Sequence, residues 1–560
     1  MIDNARELTS GEPLRAKVCI VGAGLAGIVL ALELERRGHD VLLLEAGGRN
    51  RDPLQRAAQA GIIEGGEHEP IEDVATRRLG GAMALWGGRL SPLDRADFDA
   101  DMTGKLGWPF GIEELEPWYA LANQQLEAGA YEYDAERSLP KFPPLLAQLD
   151  HSGAIDQHKT WRWCPPLRFG HFEKRLRASR RIRVLYNALV RELDIDPNNQ
   201  RVIGAELCVA PGQLRRVEAD TFVLSGGGLE TARLLLASNS RRPTGLGNHS
   251  GHLGRHYLTH PVAETGVLEI DRSQATRLCA FETSHDGVYC RRFLSLCDRV
   301  RGEHGLLNLH VTFWSPDPHD PEHGSGILSA YALIKGFMAT HRLTDKVAGA
   351  HRSNLRRDSF VSAHLGNIAR TLPETVSTLA DWSRRRWLGR RSIPALVHAG
   401  GAGRVRLRFD AEQGDDDANQ IRLSDARDAF GMPRLAVHYR VSERERHSYY
   451  SSLSLIGREL TRQCAGTLKL PPREQFVAET ALGDGTHQMG LTRMAVSAGL
   501  GVVDAQCRLH ELPNVYVAST SVFPTAGAAP PTLTLIALVL RLADHLDRNE
   551  RRPITERPCA

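Results

Sequence analysis

The sequence predicts an α/β fold of two domains: a discontinuous first domain built on a strand, helix, strand unit, and a second α+β domain built on an antiparallel sheet. Three observations carry this. An apolar run at 17–21, helix formers at 25–37 and a second apolar run at 41–44 read as the opening of a βαβ unit. A further strand, turn and helix follow at 221–225, three glycines and 229–237. Between about 265 and 470 the glycine punctuation thins, and it returns over 484–546, so the chain leaves the first domain and comes back to it.

Taken in order, residues 73–88 are rich in glycine, and Trp108, Pro109 and Gly111 break the chain before a helix-like stretch at 113–127, which together imply a loop over the first domain. Residues 183–209 alternate as strands do. In the second domain, strand-like runs at 266–270, 306–313, 404–409 and 435–439 frame a helical middle. Residues 331–400 hold twelve Lys or Arg against four Asp or Glu, among them Arg384, Arg385, Arg386, Arg390 and Arg391. Such a run is either a solvated helical face or a dock for an acidic partner, an anionic substrate or a membrane surface.

Composition narrows the function. With 560 residues the chain can bury a large core, and 70 Lys+Arg against 67 Asp+Glu give a net charge of +3. That is far from the concentrated basic surplus of nucleic-acid binders, so no nucleic-acid partner is expected. The nine cysteines are scattered without a C-x-x-C pair, unlike a disulfide framework or a zinc site, so no metal is expected and a reducing, cytoplasmic location fits. The most apolar stretch, 533–540, is too short to span a bilayer, and Arg541 follows it, so no transmembrane segment is expected. Composition leaves the oligomeric state open.

Gly22, Gly24 and Gly27 form G-x-G-x-x-G directly between the first strand and helix. The first glycine permits the turn, the second lets a pyrophosphate approach the backbone, and the third lets helix and strand pack closely. Glu45 lies 18 residues after Gly27 at the end of the second strand, placed to accept hydrogen bonds from ribose hydroxyls and to repel a 2′-phosphate. An unphosphorylated dinucleotide and a Rossmann-like domain are implied; the motif alone leaves FAD and NAD both open. Residues 78–88 could let backbone lie flat against a bulky ring system, or form an ordinary loop. Residues 529–533 start the final helix with proline in its first turn, and that positive helix end could stabilise charge on a reduced flavin ring or belong to an ordinary buried helix.

The ordered set resembles the glucose-methanol-choline (GMC) family of FAD-dependent oxidoreductases. The matching segments are 21–27 with Glu45-Ala46-Gly47, Gly80-Gly81 through Trp86-Gly87-Gly88, Gly107-Trp108-Pro109 and 223–231. Four more follow in the tail at 486–494, 501–504, 514–518 and 521–525. The resemblance implies non-covalent FAD held by a first domain over 14–264, with a flavin-covering loop and lid around 75–180, and over 481–547, and a substrate domain over 265–480. It implies cofactor contacts at Gly22, Gly24, Gly27, Glu45, Ala46, Gly80, Gly81, Trp86, Gly87, Val190, Gly226, Ser519, Thr520 and Thr532. It also implies hydride transfer from the carbinol carbon of an alcohol, sugar or glycoside, with oxygen or another electron acceptor, and puts the base at His487. A neutral imidazole suits that role because its pKa lies near working pH. His256, His260 and His510 lack such context and read as structural.

Three departures stand out. Pro530 occupies the place where the family usually has a second histidine or asparagine, and proline offers no donor. Either another residue supplies that group, or the chemistry is altered toward a lyase or little net redox turnover. Leu85 stands where some sugar-oxidising relatives attach FAD through histidine, hence the non-covalent expectation. Leu491 replaces a more usual threonine. A non-catalytic docking protein that keeps the fold is the third alternative.

Overall fold

The computed structural model describes residues 1–9, 11–65, 68–99, 106–149, 153–198, 200–339, 357–483 and 486–551. Cys559, Asp484 and residues 340–356 of the basic stretch lie outside them. Twelve strands and four helices suffice to place the site: β1 (Ile2–Asn4), β2 (Leu14–Val21), α1 (Leu25–Arg36), β3 (Val41–Glu45), β4 (Ile182–Tyr186), β5 (Leu189–Ile195), β6 (Val202–Ala210), β7 (Gln213–Leu224), α2 (Gly228–Ala237), β8 (Val262–Glu269), β9 (Leu309–Trp314), β10 (Arg404–Ala411), α3 (Glu443–Arg462), β11 (Thr467–Lys469), β12 (Val515–Val517) and α4 (Thr532–Arg551).

The first sheet runs β1-β4-β3-β2-β7-β6-β5, with β12 added beside β7. Its centre is parallel, and β3 is buried at every residue, as expected of a strand covered on both faces. β7 is long enough to hold two neighbours along one edge, β6 antiparallel near its start and β12 parallel near its end. Asn514 fixes that junction: its amide donates to the Val202 and Asp220 carbonyls and accepts from the Val202 N–H. α1 is apolar almost all round because it lies between the sheet and α4. Thus the strand that completes the sheet comes from residue 515 onward, after the second sheet has been made.

The second sheet runs β9-β10-β8-β11, antiparallel throughout. β8 starts at Val262 rather than 266; Gly266, at φ +67°, is a bulge inside the strand rather than its beginning. The run at 435–439 does not join this sheet. Residues 433–438 pair instead with 420–427 as a hairpin and with 62–64 of the first domain, because the nearest strand in sequence captures them first. α4 starts at Thr532, where the Leu535 N–H donates to the Pro531 carbonyl at 2.9 Å, so Pro531 caps the helix and Pro530 precedes it.

Candidate active site

A cleft runs from the glycine turn after β2 to the loop before α4. The three glycines of the turn differ in what holds them. Gly22 sits at φ +111°, and a Cβ there would lie 2.5 Å from the Ser225 carbonyl oxygen; a Cβ on Gly27 would lie 2.0 Å from the Gly22 oxygen. Gly24, at φ −74° and ψ −174°, has backbone that any residue adopts, and its Cβ would meet no protein atom within 4 Å. Only something approaching from the cleft gives that position a reason to be glycine.

The 80–84 turn lies across this one. The Gly80 N–H donates to the Ala23 carbonyl at 2.9 Å, and a Cβ on Gly81 would lie 3.2 Å from Gly24 Cα. Glu45 is buried, with Oε2 accepting from Ala23 N–H (3.0 Å) and Oε1 from Gly47 N–H (2.9 Å). Burial pushes its carboxyl up to about 7 against the pull of those two donors. Each oxygen keeps a lone pair for a further donor. Beside it the Arg77 guanidinium donates to both Glu230 oxygens (3.0 and 2.9 Å), and Arg233 bonds Asp428 at 2.9 Å. Burial raises the Glu230 carboxyl, but Arg77 and Arg233 more than offset it and hold it below its usual value. Arg77 Nη1 is buried without a hydrogen-bond partner, with Asp428 Oδ2 at 4.0 Å.

At the other end stands His487. Its segment lies antiparallel to 258–262, with bridges at Leu258–Met489 and Val262–Gly483 that bring His260 opposite it. Thr486, at φ +61°, makes the bend that turns His487 into the cleft. His487 Nδ1 lies 2.7 Å from His260 Nδ1, and His260 Nε2 lies 3.1 Å from the Ala526 carbonyl. A carbonyl only accepts, so His260 carries its proton on Nε2 and presents a lone pair at Nδ1. His487 must then donate from Nδ1, which leaves the lone pair of its Nε2 uncommitted in this relay. Burial, then His260 and Arg89, hold the His487 imidazole well below its ordinary pKa, so it is neutral. Arg89 is itself paired with Asp410 (3.1 and 2.6 Å) and lies over the Trp161 ring at 4.2 Å. His260, which its sequence context reads as structural, is thus the neighbour of His487. His256 bonds Asp415 at 2.6 Å, outside the cleft wall.

Of the residues expected at the site, Gly22, Gly24, Glu45, Ala46, Gly81, Trp86, Val190, Gly226, His487, Ser519, Thr520 and Thr532 line the cleft. Gly27, Gly80 and Gly87 do not: Gly27 packs helix to strand and Gly80 makes the turn. Leu85 does line it, and Pro530 is buried off the wall. Sequence reasoning misses Arg77, Glu230 and His260, whose partners lie 153 and 227 residues away.

Profiles of known families agree with this geometry. One described as FAD dependent oxidoreductase matches residues 17–394, and one described as GMC oxidoreductase matches 415–538. The chain belongs to the glucose-methanol-choline family of FAD-dependent oxidoreductases. This oxidoreductase is 25% identical to paromamine 6'-oxidase of Streptomyces fradiae over 94% of its length and 90% of the relative's. It is 23% identical to the fructose dehydrogenase large subunit of Gluconobacter japonicus over 96% and 98%. Among solved structures, pyridoxine 4-oxidase from Mesorbium loti superposes with a TM-score of 0.56 at 16% identity, over 95% of this chain and 99% of that one. FAD is the cofactor, and the open cradle at Gly24 fits a dinucleotide in the cleft.

Proposed function

We propose that this oxidoreductase oxidises a CH–OH group of a sugar, glycoside or polyol-like alcohol, with His487 as the base and FAD held without a covalent bond. The observation that carries the reading is the His260–His487 contact at 2.7 Å, because it supports a neutral His487 with a free Nε2 lone pair on the cleft wall. When bound, FAD supplies the hydride acceptor. His487 Nε2 takes the hydroxyl proton, which strengthens the carbinol carbon as a donor. His260 is a positioning residue: it fixes the tautomer of His487 and does not itself line the cleft. Gly22, Gly24, Glu45, Ala46 and Gly226 would hold the adenosine and pyrophosphate, and Gly81, Trp86, Val190, Ser519, Thr520 and Thr532 the rest of the cofactor.

Relatives named for paromamine, fructose and 2-methyl-1,2-propanediol support a hydroxyl-bearing substrate. Leu85 on the wall, where covalent relatives carry histidine, supports non-covalent FAD. Pro530 stands off the wall while a second histidine reaches His487 from the segment leading into β8, which weakens the motive for altered chemistry. The test is anaerobic addition of sugars, glycosides and alcohols to the yellow protein. One class should bleach the flavin, and readmitted air then separates oxidase from dehydrogenase. His487→Ala should slow bleaching on the order of 10²- to 10⁴-fold with flavin retained; unchanged bleaching refutes the base.

A further inference from the structure

Three helices, Gly326–Ala339, Arg357–Arg370 and Leu372–Ser383, form a layer on the second domain, and a π-helical turn, Arg384–Leu388, extends the last. The inner side of that last helix carries Trp382, packed on Phe281, Tyr289 and Ile393, and polar groups: Thr375 is buried, Gly326 N–H donates to Thr371 Oγ1 at 2.9 Å, and the two threonine hydroxyls lie 3.3 Å apart. The outer side of the helix is apolar, with Leu372, Val376 and Leu379 at helical spacing and 51%, 58% and 47% exposed. Trp387 and Leu388 continue the ridge at 69% and 82%. Nine of the nineteen large apolar side chains exposed among the described residues fall between 331 and 388, so this is a patch and not scatter.

Beside the ridge the arginines singled out in the sequence form a concavity. Arg384, Arg385, Arg390 and Arg391 line it with Thr283 and Tyr289. Asp381 pairs with Arg384 at 2.9 Å and Arg385 at 3.6 Å, and the Arg385 Nε–H donates to the Tyr289 hydroxyl at 3.3 Å. One carboxylate does not neutralise four guanidiniums, and Arg391 Nη1 is buried without a hydrogen-bond partner.

We propose that this face docks on the surface of an anionic lipid bilayer. Trp387, Leu388 and the ridge enter the boundary between headgroups and acyl chains, and the arginine cup takes lipid phosphate. Charge complementarity selects this occupant. Exposed apolar side chains flanked by arginines satisfy both layers of such a surface, whereas a second copy of the chain would bring two arginine clusters toward each other. No helix among the described residues is long and apolar enough to cross a membrane, so the contact is peripheral.

The test is sedimentation of the flavin-loaded protein with vesicles of phosphatidylcholine alone or mixed equally with phosphatidylglycerol. Binding is expected to the anionic vesicles only, and released by added salt. Trp387→Ser with Leu388→Ser should abolish it, and Arg384→Gln and Arg390→Gln should each weaken it about fivefold, with flavin absorbance and substrate bleaching unchanged. Absence of binding to anionic vesicles, or binding undiminished in these variants, overturns the proposal. So does a wild-type dimer that the Trp387→Ser, Leu388→Ser variant dissociates without any vesicle binding, since a second copy then covers the face.

Discussion

The two ends of the cleft are built by different means. The adenosine end is built first from backbone within one strand, helix, strand unit: glycines without side chains, the Ala23 and Gly47 N–H groups around Glu45, and the start of α1. The end proposed as catalytic is made of side chains from distant segments, His260 against His487 and Arg89 against Asp410, brought together by strand register. Backbone cradles are specified locally and tolerate no added atoms. Side-chain relays are specified by tertiary packing and tolerate change in shape better than loss of a hydrogen-bonding atom.

That contrast can be broken at its strongest point by comparing two glycines of one motif. Gly27→Ala drives a Cβ into the Gly22 oxygen and should destabilise the fold by roughly 1–3 kcal/mol or more, read in denaturant melts. Gly24→Ala should leave the melt of the flavin-free protein unchanged and weaken FAD binding on the order of tenfold or more, read by flavin fluorescence. Equal melts for the two would refute the division of labour argued for them.

The proposed catalytic end is sharpened through pH. His487 is held below its ordinary pKa of 6.5, so its neutral, basic form persists as the solution is acidified, and the acid limb of kcat/KM should lie below 6.5. His260→Ala removes the acceptor that fixes the tautomer, and should slow flavin reduction on the order of tenfold and move that limb up toward 6.5. A limb already at 6.5 in the wild type contradicts the burial argument.

The smallest effect is on stability. Burial holds His260 and His487 below 6.5 and takes His310 down to about 3. For each, the folded pKa lies below the unfolded value, so the unfolded chain binds more protons in acid. Stability is then full above 6.5 and falls as pH drops through the window from 6.5 toward 3. Tm should decline as pH falls from 6.5 toward 3, and His310→Phe should flatten part of the decline near its lower end.

Part of this is legible in the amino-acid sequence. The glycine triplet, Glu45 and the βαβ frame are constraints between near neighbours, so spacing alone exposes them, and the family resemblance points to His487, Val190, Ser519 and Thr520. His260 gives no signal there, because a histidine is informative only beside its partner and that partner is 227 residues away. Residues 435–439 read as a strand of the second domain without a named partner, for the related reason that a strand's apolar pattern states that it pairs, not with what. The basic run at 384–391 can be counted from the sequence, but not the outward turn of the helix before it.

The sequence by itself therefore determined the fold class and the cofactor class, because backbone conformation and phosphate binding depend on residues a few positions apart and the family motifs around them are short. Only the tertiary structure decided which histidine orients His487, which guanidinium pairs with Glu230, and which face of the last helix in the outer layer meets solvent. Those are matters of register and packing between segments far apart in the chain, and no local pattern of residues encodes them.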